Sequence, residues 1–282
     1  MKGFINLIKP EGMSSAYAVT SVKKKFNLPC GHMGTLDPMA SGVLPVGLSH
    51  TSRMFDYLLD KSKTYIAEFK FGVTTDTLDV TGKTTNTTSV IPTAQQIQAV
   101  LGDFIGEIDQ VPPNYSAKCV NGKRGYQLAR SGVEFTLPPK KVVITDITLE
   151  GQPQKDVFSF TIKCKGGTYI RSLARDIAQK TGSLGVMQKL VRSQSGIFNL
   201  QNGVGVQEFI DSLNPQQYII PPQSAVDFPQ AKLTPKQANK ILNGVFDNLG
   251  YPDGLYKVFC EDEFWGIGQS INGVLRIKAY VR

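Results

Sequence analysis

An α+β fold is predicted: a mixed, largely antiparallel sheet with flanking helices, followed by a small β-rich barrel at the C-terminus. Three observations predict it. Strand-like and helical stretches interleave without the strict alternation of a doubly wound sheet. Apolar residues make up 41% of the 282 and charged residues 19%, ample material for a core. Prolines cluster in "PPQSAVDFPQAKLTP" (221–235), and short strands separated by turn residues follow. The expected domains are therefore 1–228 and 229–282.

In chain order, "FINLIK" reads as a short strand and "PEGMSSAYAVTSVKKKF" as a turn and a helix. Ser14 or Ser15 is the natural N-cap, and Lys23, Lys24 and Lys25 suit the negative end of the helix dipole. "GVLPVGL" is a short buried strand, and "TYIAEFKFGV" (64–73) alternates as a strand entering a sheet. Residues 93–108 carry helical spacing at Ile97, Val100, Leu101, Phe104 and Ile105. The pattern breaks over 111–135, where Lys118, Lys123, Arg124 and Arg130 occur with no acid between 118 and 130. Strands return in "KVVITDITLEG" and "VFSFTIKCKGGTYI", and "RSLARDIAQKTG" is a helix ending at Gly182. The C-terminal region offers the helix "PKQANKILNG" and the strands "GLYKVFC", "FWGIGQSI" and "VLRIKAYV".

The net charge is +8 and the pI about 9.2, compatible with a nucleic acid, an anionic surface or simply a basic enzyme. No window approaches the ~18–20 apolar residues of a membrane span, and Lys9-Pro10 cuts the first apolar run too early for a signal peptide. Cys30, Cys119, Cys164 and Cys260 are dispersed, which fits reduced thiols in a cytoplasmic protein. With only two histidines, His32 and His50, no zinc site is expected. His50 reads only as a polar residue near a helix start.

Several nucleotide motifs fail. "TGKTT" lacks the first glycine of a phosphate loop, since residue 77 is Thr77. "GVGVQE" and "GIGQSI" lack the third glycine of a dinucleotide fingerprint, and no G-x-S-x-G elbow occurs. These failures leave "GHMGTLDPMASGVLPVG" (31–47), where a single carboxylate, Asp37, sits among glycines and prolines. Asp37-Pro38 makes a good helix N-cap and first position. It is equally a nucleophile on a turn whose glycines let a substrate approach, given a cation to keep it ionised and aimed.

"KPEGMSS" followed by "GHMGTLDPMASGVLPV" resembles the TruB family, the bacterial tRNA pseudouridine-55 synthases. The likeness continues through "KTYIAEFKFGVTTDTLDVTG", "PPNYSAKCVNGKRGYQLARSG" and "GGTYIRSLARDIAQKTG", and it spans most of residues 4–200. The C-terminal module resembles the PUA-type RNA-binding domain of these proteins. The resemblance implies a pseudouridine synthase fold and a uridine isomerisation that needs no cofactor or metal. It implies Asp37 as the nucleophile, Arg171 as its partner cation and Tyr65 as the ring stacked on the target uracil. His32 corresponds to the motif histidine that contacts RNA near the flipped base, and Tyr169 and Leu190 to residues lining and closing the base pocket. Which carbon is attacked stays open.

As a strand end, "GGTYIR" would place Tyr169 and Arg171 on one face. Asp76 and Asp79 in "TTDTLDVTG" read as acids of a solvated turn bordering the site. The resemblance makes 111–135 an insertion closing over the tRNA T stem-loop, with Lys118, Lys123, Arg124 and Arg130 on phosphates. Residues 163–192, with seven basic side chains and one acid, read as a second basic face. The expected partner is tRNA, with no membrane, no obligate protein partner and a monomeric state. Two alternatives are an RNA chaperone whose action survives loss of Asp37, and the related archaeal and eukaryotic enzyme that uses guide RNAs with protein partners.

Overall fold

The structure is a computed structural model that describes residues 1–58, 61–116, 119–120, 123–124, 135 and 137–281. It forms two compact units, Met1–Lys61 with Ser195–Arg282, and Ser62–Gln194. Elements are numbered in chain order.

In the first unit, β1 (Gly3–Lys9) pairs antiparallel with β3 (Ser41–Leu48), from Gly3↔Leu48 to Lys9↔Gly42. The short β2 (Cys30–His32) also pairs with β3, and β14 (Val204–Gly205), which follows β13 (Phe198–Asn199), runs parallel to β1. Between β1 and β2 lies α1 (Ser15–Phe26), capped by the Ser14 hydroxyl, with Lys23, Lys24 and Lys25 in its last turn. Ala18 and Val22 of α1 pack with Ile5, Leu7, Leu44, Val46 and Phe209, the last from α4 (Val206–Asp211).

The C-terminal residues of the same unit form a separate five-stranded sheet in the order β15-β17-β18-β19-β16. These strands are Gln230–Leu233, Gly254–Cys260, Glu263–Ile271, Gly273–Tyr280 and Asn248–Tyr251 respectively. One hydroxyl links its two edge strands, since Tyr251 accepts from the Lys232 N–H and donates to the Lys232 carbonyl, both at 3.0 Å. That link nearly closes the sheet into the expected PUA-like barrel. Its core, around Val258, Trp265 and Leu275, is covered by α5 (Pro235–Leu242). The opposite side of this sheet joins a second core, in which Phe264, Ile267, Ala279 and Val281 meet Phe4, Val43, Met54 and Phe198. The division at 228/229 is thus a change of sheet within one compact unit.

The second unit is built on the order β12-β4-β11-β10-β7. Its strands are β4 (Lys63–Phe71), β7 (Gly106–Gln110), β10 (Lys140–Gln154), β11 (Val157–Cys164) and β12 (Gly185–Ser195). The pairs β4–β11, β11–β10 and β10–β7 are antiparallel, so the expected mixed, largely antiparallel sheet is present. Two small hairpins are β5 (Val73–Thr75) with β6 (Thr84–Thr87), and β8 (Cys119–Val120) with β9 (Lys123–Arg124). Alternation in β4 buries Tyr65, Ala67, Phe69 and Phe71, while Ile66 on the other face is 47% exposed.

The helix expected over 93–108 is shorter. α2 (Ala94–Leu101) begins at a Thr93–Gln96 capping box, and a 3-10 turn (Gly102–Phe104) ends it. Gly106, at φ 103°, then turns the chain into β7. The helix after "GGTYI" also differs. α3 (Ile170–Lys180) starts one residue before Arg171, with Tyr169 as its N-cap. Arg171 is therefore a helix residue, and the strand-end reading that put it on one face with Tyr169 is corrected. Among the described residues, no helix is long and apolar enough to cross a membrane.

Candidate active site

In the first unit, residues 33–40 cross between β2 and β3 as an irregular turn. No helix follows Asp37; the Ala40 N–H instead returns to the Asp37 carbonyl at 3.0 Å. The capping reading of Asp37-Pro38 is therefore not realised. Gly34 supplies φ 83°, a conformation that side chains oppose. The turn is laced from beneath. The Ser15 hydroxyl donates to the Leu36 carbonyl (2.9 Å) and accepts from the Leu36 N–H (2.8 Å), while the Gly12 N–H reaches the Pro38 carbonyl at 2.8 Å.

Lys9 completes the support. It is fully buried, and its ammonium donates to the carbonyls of Met13 (2.6 Å), Pro10 (2.8 Å) and Pro38 (3.3 Å). A buried charge is tolerated where several acceptors surround it, and here they tie the β1–α1 loop to the Asp37 turn. Sequence reasoning missed Lys9 as a functional support. Its signals were a lysine closing an apolar strand and its place at the head of "KPEGMSS". His32, in β2 opposite Val46, leads directly into this turn.

In the second unit, Arg171 in the first turn of α3 is 6% exposed. Its guanidinium donates to the Thr77 carbonyl (2.9 Å) and the Tyr115 carbonyl (3.0 Å), and Nη1 lies 3.6 Å from the Asp79 carboxylate. Asp79 is 4% exposed and also accepts from the Thr77 hydroxyl (2.9 Å) and the Thr81 N–H (3.0 Å). The solvated-turn reading therefore holds for Asp76, which is exposed, and fails for Asp79. The cause is non-local: Val80 and Leu78 bond Met187 of β12 at 3.1 Å each, pulling the acid inward.

Tyr169 is held through its backbone. The Gln110 side chain donates to its carbonyl (3.1 Å) and accepts from its N–H (2.8 Å), and Gln110 itself is buried. The Ser172 hydroxyl adds a bond to the Val111 carbonyl at 2.8 Å. The end of β7 thus sets where α3 begins. Gln110, like Asp79, was not among the residues singled out from the sequence as chemical.

Tyr65 and Leu190 are each 6% exposed, on the neighbouring strands β4 and β12. Arg192 stands close enough to Lys63 to act on its charge. Because Lys63 and Tyr65 share one face of β4, and Leu190 and Arg192 one face of β12, Tyr65 and Leu190 belong to the same face of the sheet. Burial, and then the Arg192 charge, push the Lys63 ammonium down from 10.5 to about 8, with nearby Cys164 opposing. Lys63 therefore holds its proton less tightly folded than unfolded, and unfolding takes up a proton between about pH 8 and 10.5. Stability rises with pH across that window by up to roughly 3 kcal/mol from this group. Urea midpoints for Lys63→Met across the same window are expected to lose that rise; an unchanged slope would show that Lys63 is not the group.

Of the seven basic side chains that suggested a second basic face over 163–192, Lys165 is exposed and the others are buried or paired. Arg171 and Arg192 are buried, and Lys163, Lys180 and Lys189 pair with Asp146 (3.1 Å), Asp103 (2.9 Å) and Glu68 (3.9 Å). Arg175 pairs with Asp176 at 2.7 Å. Of the insertion residues, Lys118 and Arg130 lie outside the described residues, and Lys123 and Arg124 form the backbone of β9.

Residues 22–170 match the model of the TruB family pseudouridylate synthase N-terminal domain. The chain belongs to the TruB family. It is 40% identical over 279 residues to tRNA pseudouridine synthase B of Clostridium kluyveri, covering 96% of each chain. It is 36% identical to that of Aquifex aeolicus, covering 99% of each. Among solved structures, an H/ACA ribonucleoprotein bound to a substrate RNA containing 2'-deoxyuridine matches with a TM-score of 0.70 at 22% identity. That match covers 99% of this chain and 85% of the other, and it shows the fold. A Cbf5-Nop10-Gar1 complex matches with a TM-score of 0.68 at 25% identity, covering 98% and 79%. This TruB-family chain thus combines the pseudouridine synthase fold with the C-terminal PUA-like sheet.

Proposed function

We propose that this TruB-family isomerase converts uridine 55 in the T loop of tRNA to pseudouridine, with Asp37 as the nucleophile. What carries the reading is the match to tRNA pseudouridine synthase B over nearly the whole chain, and Asp37 lies in "GHMGTLDPMASGVLPV", the segment that resembles the family's motif. The N1–C1′ bond of the nucleotide breaks, the uracil turns, and C5 bonds to C1′. C5 loses its proton and N1 gains one, so the reaction balances without an oxidant or a second substrate. Arg171 keeps Asp37 ionised and aimed, and a guanidinium does both through a charge-assisted hydrogen bond. Tyr65 stacks on the extruded uracil and assists proton movement at C5; such stacking is worth ~1–3 kcal/mol, comparable to the cost of flipping a nucleotide.

Tyr169 lines the base pocket, Leu190 closes it, and His32 contacts the RNA beside the flipped base. Lys118, Lys123, Arg124 and Arg130 take phosphates of the T stem-loop, and the module 229–282 adds a weaker grip on the acceptor stem. The protein acts as a cytoplasmic monomer without an obligate partner chain. The alternative readings keep tRNA or RNA binding but change the chemistry or the targeting.

Primer extension on carbodiimide-treated tRNA transcripts tests the site choice. After incubation with the protein alone, a single new stop one nucleotide 3′ of position 55 is expected, absent from a transcript carrying cytidine at 55. Stops at other uridines, or a requirement for a guide RNA, would overturn the reading.

A further inference from the structure

Helix α1 starts at the Asp37 turn, where Ser15, its first residue, bonds Leu36 in both directions. From there it leads away for twelve residues, about 18 Å. From Gly12 to Leu36 the sequence contains no acidic side chain. Tyr17, Thr20 and Lys24 follow one another at three and four residues, on one exposed row of the helix. Tyr17 is 64% exposed, so its ring is open to a partner.

The last turn carries Lys23, Lys24 and Lys25, all exposed, and none has an ion-pair partner among the described residues. This sets them apart from Lys163, Lys180 and Lys189, which are paired. The nearest thiol offers Lys23 no counter-charge, because burial pushes Cys30 up to about 11 and leaves it neutral at physiological pH. Lys23 and Lys24 also border a groove of about 480 Å³ with Thr20, Asn27, Leu28 and Pro29.

We propose that the exposed side of α1, from Tyr17 to its last turn, is an RNA-backbone surface. Lys23, Lys24 and Lys25 contact phosphates of the strand leaving the Asp37 turn, and Tyr17 packs on a nucleotide nearer that turn. The proposal rests on the reading of the chain as a tRNA isomerase. A helix dipole would also favour these lysines, but it needs neither the groove nor the exposed tyrosine.

The test is tRNA affinity measured over a series of salt concentrations. For Lys23→Ala/Lys24→Ala/Lys25→Ala, the slope of log affinity against log salt is expected to fall by about 2 to 3, with affinity at low salt down at least tenfold. Alanine is a strong helix former, so α1 persists, and a thermal melt checks it. Tyr17→Ala is expected to weaken binding about tenfold with the slope unchanged. Removing equal charge at Lys141, Lys155 and Lys163 is expected to preserve the slope, which separates contact from net charge. An unchanged slope and affinity in the α1 triple variant, with wild-type protein still converting tRNA, would overturn this surface alone. Absence of binding and conversion by the wild type would overturn the parent reading instead.

Discussion

Asp37→Asn is expected to abolish pseudouridine formation while leaving tRNA affinity within about threefold of wild type. The amide keeps the size of the side chain but is neither a nucleophile nor a counter-ion. Fold should survive, because backbone groups, Ser15 and Lys9 hold the turn on their own. Single-turnover assays with excess enzyme separate the step from binding. Loss of more than 10⁴-fold is the order expected for removal of a covalent nucleophile. Conversion within tenfold of wild type would remove Asp37 from the chemistry. Refolding of misfolded tRNA by the mutant, with all conversion lost, would mark a chaperone action separate from catalysis.

The second large effect concerns Arg171 and Asp79. Asp79→Asn takes from the buried Arg171 guanidinium the carboxylate that lies 3.6 Å from its Nη1, and breaking a buried pair costs about 3–5 kcal/mol. For a chain of this size the melting temperature should fall by roughly 10 °C. Arg171→Lys keeps the charge but cannot fork to Thr77 and Tyr115, so it should melt less far below wild type while converting tRNA far more slowly. If Asp79→Asn melts and turns over like wild type, the pair holds neither the fold nor the guanidinium.

Local signals carried much of this structure. Ser14 and the three lysines bracket α1 as their residue types dictate, and the alternation over 64–73 is that of β4. The supports of the site were harder to see because they come from distant segments. Lys9 acts on Pro38, Ser15 on Leu36, and Gln110 on Tyr169; none of these pairs has a local pattern. Asp79 looked like a turn acid because its neighbours are threonines and a glycine, and its burial depends on β12 and α3. The start of α3 was misread for the same reason, since Gln110 and Val111 hold its first turn. The cations of 163–192 could be counted from the sequence, but their partners Asp103, Asp146 and Glu68 could not be matched to them.

The most direct measurement is tritium release from tRNA labelled at C5 of uridine, with the purified protein as the only catalyst. Forming a C5–C1′ bond must expel the C5 proton, so wild-type protein is predicted to release one tritium per tRNA from the T-loop uridine. Tight tRNA binding with no tritium released would contradict the account and leave an RNA-binding protein in place of an isomerase.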